Sequence, residues 1–426
     1  MIRSIKLAVS AALALSATSA LATNGSNLIG LGAKARAMGG ATIGVAHGAE
    51  SGLANAALIT KVEDTEISFG GTIFMPNVEN SMGQPGYMSP SEKSDADMSV
   101  IPEVSIASKV TDNFYWGIGM WGTAGMGVDY REDAMNFNMV TNLQLMQFGV
   151  PLAYTVSGFS IGFTPILQYG SLDMDYSGTL DTSSAFAGGM APAESVDVGH
   201  GAGVSQDLKM GYNIGLAYEI ADLTIGAVYK SQIDMEYKGQ LSGAAKPFTD
   251  FGMFGGQPLG DKLSTPAEIG IGASYVFSGN TVALDYKQIK WSSAKGYEDF
   301  EWEDQSVIAL GYEYAATGWA ARLGYNYATS PIKEQDAATA MGDATGSAIN
   351  MFNLLGFPAI VESHFTLGGS YNFSKQTSID LAYAYAPEVK EAFTTAGFAG
   401  FGPMNPTVIE TTHSQTSLSF QLNYNF

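Results

Sequence analysis

From about Thr65 to its last residue the chain alternates apolar and polar side chains with period two, in about fourteen separate stretches. In the stretch 414–426, Leu418, Phe420, Leu422, Tyr424 and Phe426 fall on one face and Ser417, Ser419, Gln421, Asn423 and Asn425 on the other. Successive side chains of a strand point to opposite sides, so each stretch reads as a strand with one greasy and one polar face. Stretches 65–75, 139–156, 222–236 and 263–277 follow the same rule. The gaps take turns along the chain. Short ones, such as Ser157, Ala221 and Ser278-Gly279, alternate with long ones near 76–96, 171–206, 237–262 and 329–362. Every long loop therefore lies at one end of the sheet. Tight turns at one end, long loops at the other and an even strand number are the pattern of an antiparallel transmembrane β-barrel of the outer membrane. A soluble sandwich has no reason to segregate its loops. The expected fold is all-β, a barrel of about fourteen strands spanning 62–426.

Composition agrees. Only 14% of residues are charged, against roughly 25% in soluble proteins. The chain carries 51 Gly, 21 Tyr and 22 Phe, which suits a wide apolar outer surface with aromatic girdles. Tyr218, Tyr229, Trp291, Tyr312, Tyr314, Trp319, Tyr325 and Tyr327 are the girdle candidates. The opposite faces hold charges inside strands, among them Lys209, Lys230, Asp285, Lys287, Glu313, Arg322 and Asp380, which suit a polar lumen; Glu313 and Arg322 flank one turn and should pair. A net charge of −21 repels phosphate and removes nucleic acid as a partner. The absence of Cys removes disulfides, thiolate metal sites and thiol nucleophiles. The four histidines lie far apart without HxH or HExxH spacing, and no G-x-S-x-G is present, so neither a metal site, a cofactor nor catalysis is expected. Residues 1–22 read as an export signal: Arg3 and Lys6, an apolar run from Leu7 to Ala17, and an Ala20-Leu21-Ala22 cleavage site.

Residues 23–61 lack the alternation and are rich in Gly and Ala, with short helical stretches expected at 33–38 and 49–57. Small residues allow close packing, so this segment reads as a plug inside the barrel. Asn24-Gly25, then Ala37-Met38-Gly39-Gly40, then Asn55-Ala56-Ala57-Leu58-Ile59-Thr60 resembles the hatch of FadL-type outer-membrane transporters of fatty acids and aromatic hydrocarbons. The family's hatch usually reads Asn-Pro-Ala; here Asn55, Ala56 and Ala57 stand at those positions, with Ala in place of Pro. The resemblance covers hatch, strands and terminal aromatic strand. It implies passive uptake of hydrophobic small molecules into a Gram-negative outer membrane, by loop capture, a lumenal pocket and sideways exit into lipid. It further implies outer-membrane lipid and lipopolysaccharide as surroundings, assembly by the barrel-assembly machinery, and a monomer. A general diffusion porin and a structural barrel are the competing readings.

Three sets of residues are candidates for that task. Glycine within a strand weakens pairing, so Gly122 and Gly125 of the third strand mark the wall opening. Long loops facing water should be polar, yet they hold Phe248, Phe251, Met253 and Phe254, then Ile349, Met351, Phe352, Leu354, Leu355 and Phe357, then Phe393, Phe398, Phe401 and Met404. An exposed apolar patch of that kind would capture ligand, with Phe251, Met253, Phe254, Phe352 and Leu355 at its centre. Lys34, Arg36, Lys209, Lys230 and Arg322 are the basic residues able to meet a carboxylate headgroup, with Lys34, Arg36 and Arg322 put first. Acidic stretches 92–97 and 298–304 read as solvated loop. Terminal aromatics guide barrel assembly in the proteins this one resembles, so deleting Phe426 should lower the amount of folded, heat-modifiable barrel in the outer membrane, measured by electrophoresis without boiling.

Overall fold

The computed structural model describes residues 23–181, 195–250, 252–337, 344–395 and 407–426. The expected export signal, Phe251, Phe398, Phe401 and Met404 lie outside them. Among the described residues fourteen strands form the wall: β1 Thr65–Gln84, β2 Ser99–Lys109, β3 Phe114–Asp129, β4 in two pieces Val140–Gly149 and Leu152–Val156, β5 Phe159–Asp181, β6 Ser205–Ile220, β7 Leu223–Lys230, β8 Glu268–Phe277, β9 Asn280–Ile289, β10 Gln305–Ala316, β11 Trp319–Ala328, β12 Ser363–Asn372, β13 Thr377–Thr394 and β14 Val408–Asn425. Neighbours pair antiparallel, and β14 closes on β1 from Val408↔Gly83 to Asn425↔Glu66. No helix among the described residues is long and apolar enough to cross a membrane; the strands do the crossing.

The short turns are built as their sequences require. Ser157 and Gly158 have φ of 51° and 81°, and Ser278 and Gly279 have 48° and 78°. Both central residues lie left-handed, the turn geometry that matches the twist of a two-residue hairpin. The stretch 139–156, expected as one strand, breaks at Val150-Pro151 because proline has no N–H for the ladder. The stretch 222–236 stops at Lys230, beyond which the isolated bridges Ile233↔Thr265 and Glu236↔Lys262 continue the contact with the following segment.

Alternation sorts the side chains as expected. Leu418, Phe420, Leu422 and Tyr424 of β14 are exposed outward, and Ser417, Ser419, Gln421 and Asn423 are buried inward. The inward groups bond across the wall: Ser419 with Thr72 at 2.7 Å, Ser68 to Asn423 at 2.8 Å, and Gln421 to Asn423 at 2.6 Å. Tyr218, Tyr229, Tyr312, Tyr314 and Trp319 lie exposed on the outer surface. Trp291 is corrected: it is fully buried. The chain leaves β9 after Ile289 and turns inward in a short 3-10 turn, Trp291–Ser293. There Trp291 packs edge-on against Tyr297 at 4.6 Å and Trp302 at 5.0 Å, and its indole N–H donates to Gln305 at 3.2 Å.

The barrel is filled by residues 23–61. A small hairpin pairs Thr23–Asn24 with Asn27–Leu28; α1 Ala33–Ala37, α2 Ser51–Ala54 and the 3-10 turn Ala56–Lys61 follow. A Gly- and Ala-rich segment has few side chains to recognise, so the wall grips its backbone. Asp285 accepts from the N–H groups of Thr42 at 2.6 Å and Ile43 at 2.7 Å. Asn326 donates to the Gly39 carbonyl at 2.9 Å, Asn213 to that of Leu53 at 2.8 Å, and Thr164 to that of Gly52 at 2.7 Å. Inward glycines on the wall make this approach possible. A Cβ on Gly215 would lie 2.0 Å from Asn55 Oδ1, one on Gly226 1.9 Å from the Ile43 carbonyl, and one on Gly324 2.0 Å from the Gly39 nitrogen. Gly215→Leu should therefore leave the barrel folded but loosen this segment, at a cost of about 1–3 kcal/mol for the overpacking. Hydrogen exchange over residues 23–61 should rise while heat-modifiable mobility persists.

Candidate functional site

Between residues 23–61 and the wall lies a cavity of about 60 Å³. Its apolar side is Leu28, Leu31, Leu53 and Ile233; its polar side is Asn27, Gln147, Asn213, Lys230, Glu268 and Lys287. Pockets that hold small organic ligands are about 300–1,000 Å³, so this cavity is several-fold smaller than such a pocket.

The charges of the cavity are unequal. Lys230 of β7 and Lys287 of β9 both approach one oxygen of Glu268 on β8, at 3.2 and 3.3 Å. Asn27 donates to the other oxygen at 3.0 Å. Two ammonium groups share one carboxylate, leaving the pocket one positive charge in excess. Alternation in the sequence placed Lys230 and Lys287 inward. It gave no sign that three adjacent strands would bring them to the same glutamate.

Of the basic residues expected to meet a headgroup, Lys230 lines this cavity; Lys34, Arg36, Lys209 and Arg322 lie elsewhere, each with a protein carboxylate. Arg36 lies 2.5 Å from Glu103, Lys34 3.7 Å from Asp380, and Arg322 2.6 Å from Glu313. The Glu313–Arg322 pair is the one expected from their turn. In the hatch-like motif, Asn55 caps the 3-10 turn by accepting from the Ala57 N–H at 3.1 Å. Its amide donates to the Ile43 carbonyl at 2.8 Å and to that of Leu216 on β6 at 3.2 Å. The motif thus ties two parts of the segment to the wall with Ala56 where proline was expected.

On one side the cavity meets an interruption of the wall. The β2–β3 ladder ends at Glu103↔Trp121. Beyond it β3 pairs onward with β4, with a register shift between Gly122 and Ala124 that bulges out Thr123, a residue of the cavity lining. Ala124 bridges instead to Asn27, and the Gly125 N–H donates to the Ser26 carbonyl at 3.1 Å. Gly122 and Gly125 therefore flank the bulge. A Cβ on Gly122 would meet Ile101 Cγ2 of β2 at 2.4 Å.

The expectation of an exposed apolar patch on the loops is corrected. The loop helices α3 Leu241–Asp250 and α4 Thr345–Leu355 fold over the mouth and bury their apolar residues against each other. Met253, Phe352 and Leu355 are buried and Phe254 partly so. The rings of Phe248 and Phe352 meet edge-on at 5.2 Å, and the Trp302 indole donates to Asn353 at 2.9 Å. Sequence could not show this, because apolar loop residues look the same whether they face water or one another. Acidic loop residues are paired with lysines, as in Lys295–Glu298 at 2.7 Å and Lys290–Asp304 at 2.8 Å. Phe352→Ala should remove about 3–5 kcal/mol of packing from the cap. Hydrogen exchange over 345–355 should accelerate while exchange in β1 and β14 stays unchanged.

Comparison with known proteins places this architecture. The profile of a family described as "Outer membrane protein transport protein (OMPP1/FadL/TodX)" matches residues 7–345. A 47 kDa outer membrane protein of Pasteurella multocida is 28% identical over 215 residues, 44% of this chain and 45% of that one; the match thus spans about half of that relative's length. Outer membrane protein P1 of Haemophilus influenzae is 23% identical over 380 residues, covering 76% of this chain and 75% of the relative. Among solved structures, a FadL homologue from Pseudomonas aeruginosa superposes with a TM-score of 0.70 at 16% identity, covering 94% of this chain and 100% of that one. The toluene transporter TodX of P. putida superposes with a TM-score of 0.63 at 17% identity, covering 93% and 99%.

Proposed function

The chain belongs to the OMPP1/FadL/TodX family of outer membrane transport proteins, and from that membership we propose that it takes up hydrophobic small molecules passively. In this reading residues 23–61 are the hatch. Ligand enters past the loop cap, rests in the cavity beside Lys230 and Lys287, and leaves sideways between β2 and β3 into the bilayer. The observation that carries the reading is the β2–β3 interruption, where the wall lacks a ladder next to the lumenal cavity. A hydrocarbon chain gains nothing from a water-filled pore, and an exit into lipid spares it the aqueous side altogether. The filled lumen argues against a general diffusion porin, and the family is one of transporters rather than enzymes.

The excess positive charge of the cavity supports a long-chain fatty acid, whose carboxylate would compete with Glu268 for the two lysines. The described likeness to a toluene transporter supports a neutral aromatic hydrocarbon instead. Uptake assays with one acid and one neutral hydrocarbon of equal size separate the two: Lys230→Met with Lys287→Met should depress the first and spare the second.

The exit itself can be stapled. A Cβ on Gly122 would stand 3.7 Å from that of Ile101, within the span of about 3.5–4.5 Å that a disulfide bridges. The chain has no cysteine of its own. Ile101→Cys with Gly122→Cys should form a disulfide that stops uptake in oxidised protein and releases it on reduction, with heat-modifiable mobility unchanged throughout. Equal uptake in the oxidised and reduced forms would remove the lateral exit. Gly125→Leu, on the other flank of the bulge, should also reduce uptake.

A further inference from the structure

Where β2 and β3 part, the same short stretch of the N-terminal segment touches both edges. On the β3 side the contacts are neutral and made by backbone: the bridge Asn27↔Ala124 and the bond from Gly125 N–H to the Ser26 carbonyl at 3.1 Å. On the β2 side the contact is ionic. Glu103, the β2 member of the last rung, accepts from the Gly32 N–H at 2.8 Å and from Arg36 at 2.5 Å. Arg36 and Glu103 are 1% and 2% exposed, so neither has water as an alternative partner.

A third group stands beside them. Glu50 is buried and its carboxylate lies over Gly32, where a Cβ would meet Oε2 at 1.4 Å. Burial, and then the charge of Glu103, push the Glu50 carboxyl well above its ordinary range. The carboxylate paired with Arg36 is Glu103. A paired buried charge becomes costly when its partner is removed, whereas each neutral backbone bond is the weaker of the two kinds of contact.

We propose that Arg36 and Glu103 form a clip that anchors the N-terminal segment to the β2 edge of the wall break, making Glu103 a positioning residue for the exit. The segment spans the break, fixed at β2 by the ion pair and fastened to β3 by contacts weak enough to release. Opening then peels residues 26–28 from β3 while residues 32–36 stay on the wall, held at β2 by Glu103 and on the far side by Gln421 of β14 and Asp380 of β13. The clip rests on the lateral-exit reading and adds to it which edge holds and which yields.

The test uses the accessibility of β3. Ala124 is buried beneath the segment, and so is Ala309, on β10 against Met38. Ala124→Cys and Ala309→Cys, each in otherwise cysteine-free protein, are labelled with a membrane-permeant maleimide in the native, Glu103→Gln and Arg36→Gln backgrounds. Several-fold faster labelling at position 124 and none at 309 is expected in both backgrounds. The double variant should label no faster than either single one, since all three lose one contact. Unchanged labelling at 124, an equal rise at both positions, or additive effects would each overturn the clip. Should Glu103→Gln not fold, Arg36→Lys, which keeps the charge but loses the guanidinium fork, must still raise labelling at 124; no rise overturns the proposal. The Ile101→Cys/Gly122→Cys disulfide separates the two ideas. If it blocks uptake while labelling does not change, the clip fails and the lateral exit stands. If uptake survives the disulfide, the exit fails whatever the labelling does.

Discussion

In hydrocarbon a backbone N–H or C=O without a partner costs several kcal/mol, and this barrel is organised around that constraint. The fourteen described strands satisfy it by closing β14 on β1. Beyond Glu103↔Trp121 the β2–β3 ladder does not. There the missing partners come from within: Asn27 and Ser26 bond the inner edge of β3, while the outer part of β2 keeps its ladder with β1. The N-terminal segment thus completes the wall at this edge as well as packing against its inner face. On the proposed reading, displacing it would expose an edge facing lipid, which would let one segment serve both as plug and as gate to a sideways path.

The lumen behaves as a protein interior rather than a channel. Four of its buried carboxylates have assigned donors: Asp285 the backbone of residues 42–44, Glu103 Gly32 and Arg36, Asp380 Asn423 and Ser370, and Glu268 two lysines and an asparagine. In a low dielectric such saturation is a condition of burial. Lys34, Arg36 and Arg322 are taken up in pairs with carboxylates, whereas at Glu268 two lysines share one carboxylate.

Much of the fold was legible because membrane strands carry their own orientation. Period two fixed which residues of β14 and β11 face lipid, and it put Lys230, Lys287, Arg322 and Asp285 inward. Alternating gap lengths fixed the end at which the long loops gather. The glycines of β3 pointed to weakened pairing, and the strand carries a register shift between Gly122 and Ala124. The errors came where local pattern is silent. Trp291 reads as a girdle residue until the chain is seen to turn inward after Ile289. Phe352 and Leu355 read as an exposed patch until α3 and α4 are seen to cover each other.

What the sequence determined by itself is therefore the barrel: strand number, facing, loop polarity and the presence of a small-residue segment that cannot be a strand. These follow from periodicity and residue size, which are properties of neighbours along the chain. Tertiary structure alone decided partners across the lumen. Glu268 meets Lys230 and Lys287 because antiparallel registers bring Lys230 opposite it on one side and, on the other, Lys287 two residues from its partner Ile289 and on the same face. Arg36 meets Glu103 because the N-terminal segment enters at one depth and no other, set by glycines such as Gly215 and Gly324 that leave it room. Depth and register are three-dimensional quantities, summed over the whole closed sheet, and no short window of sequence contains them.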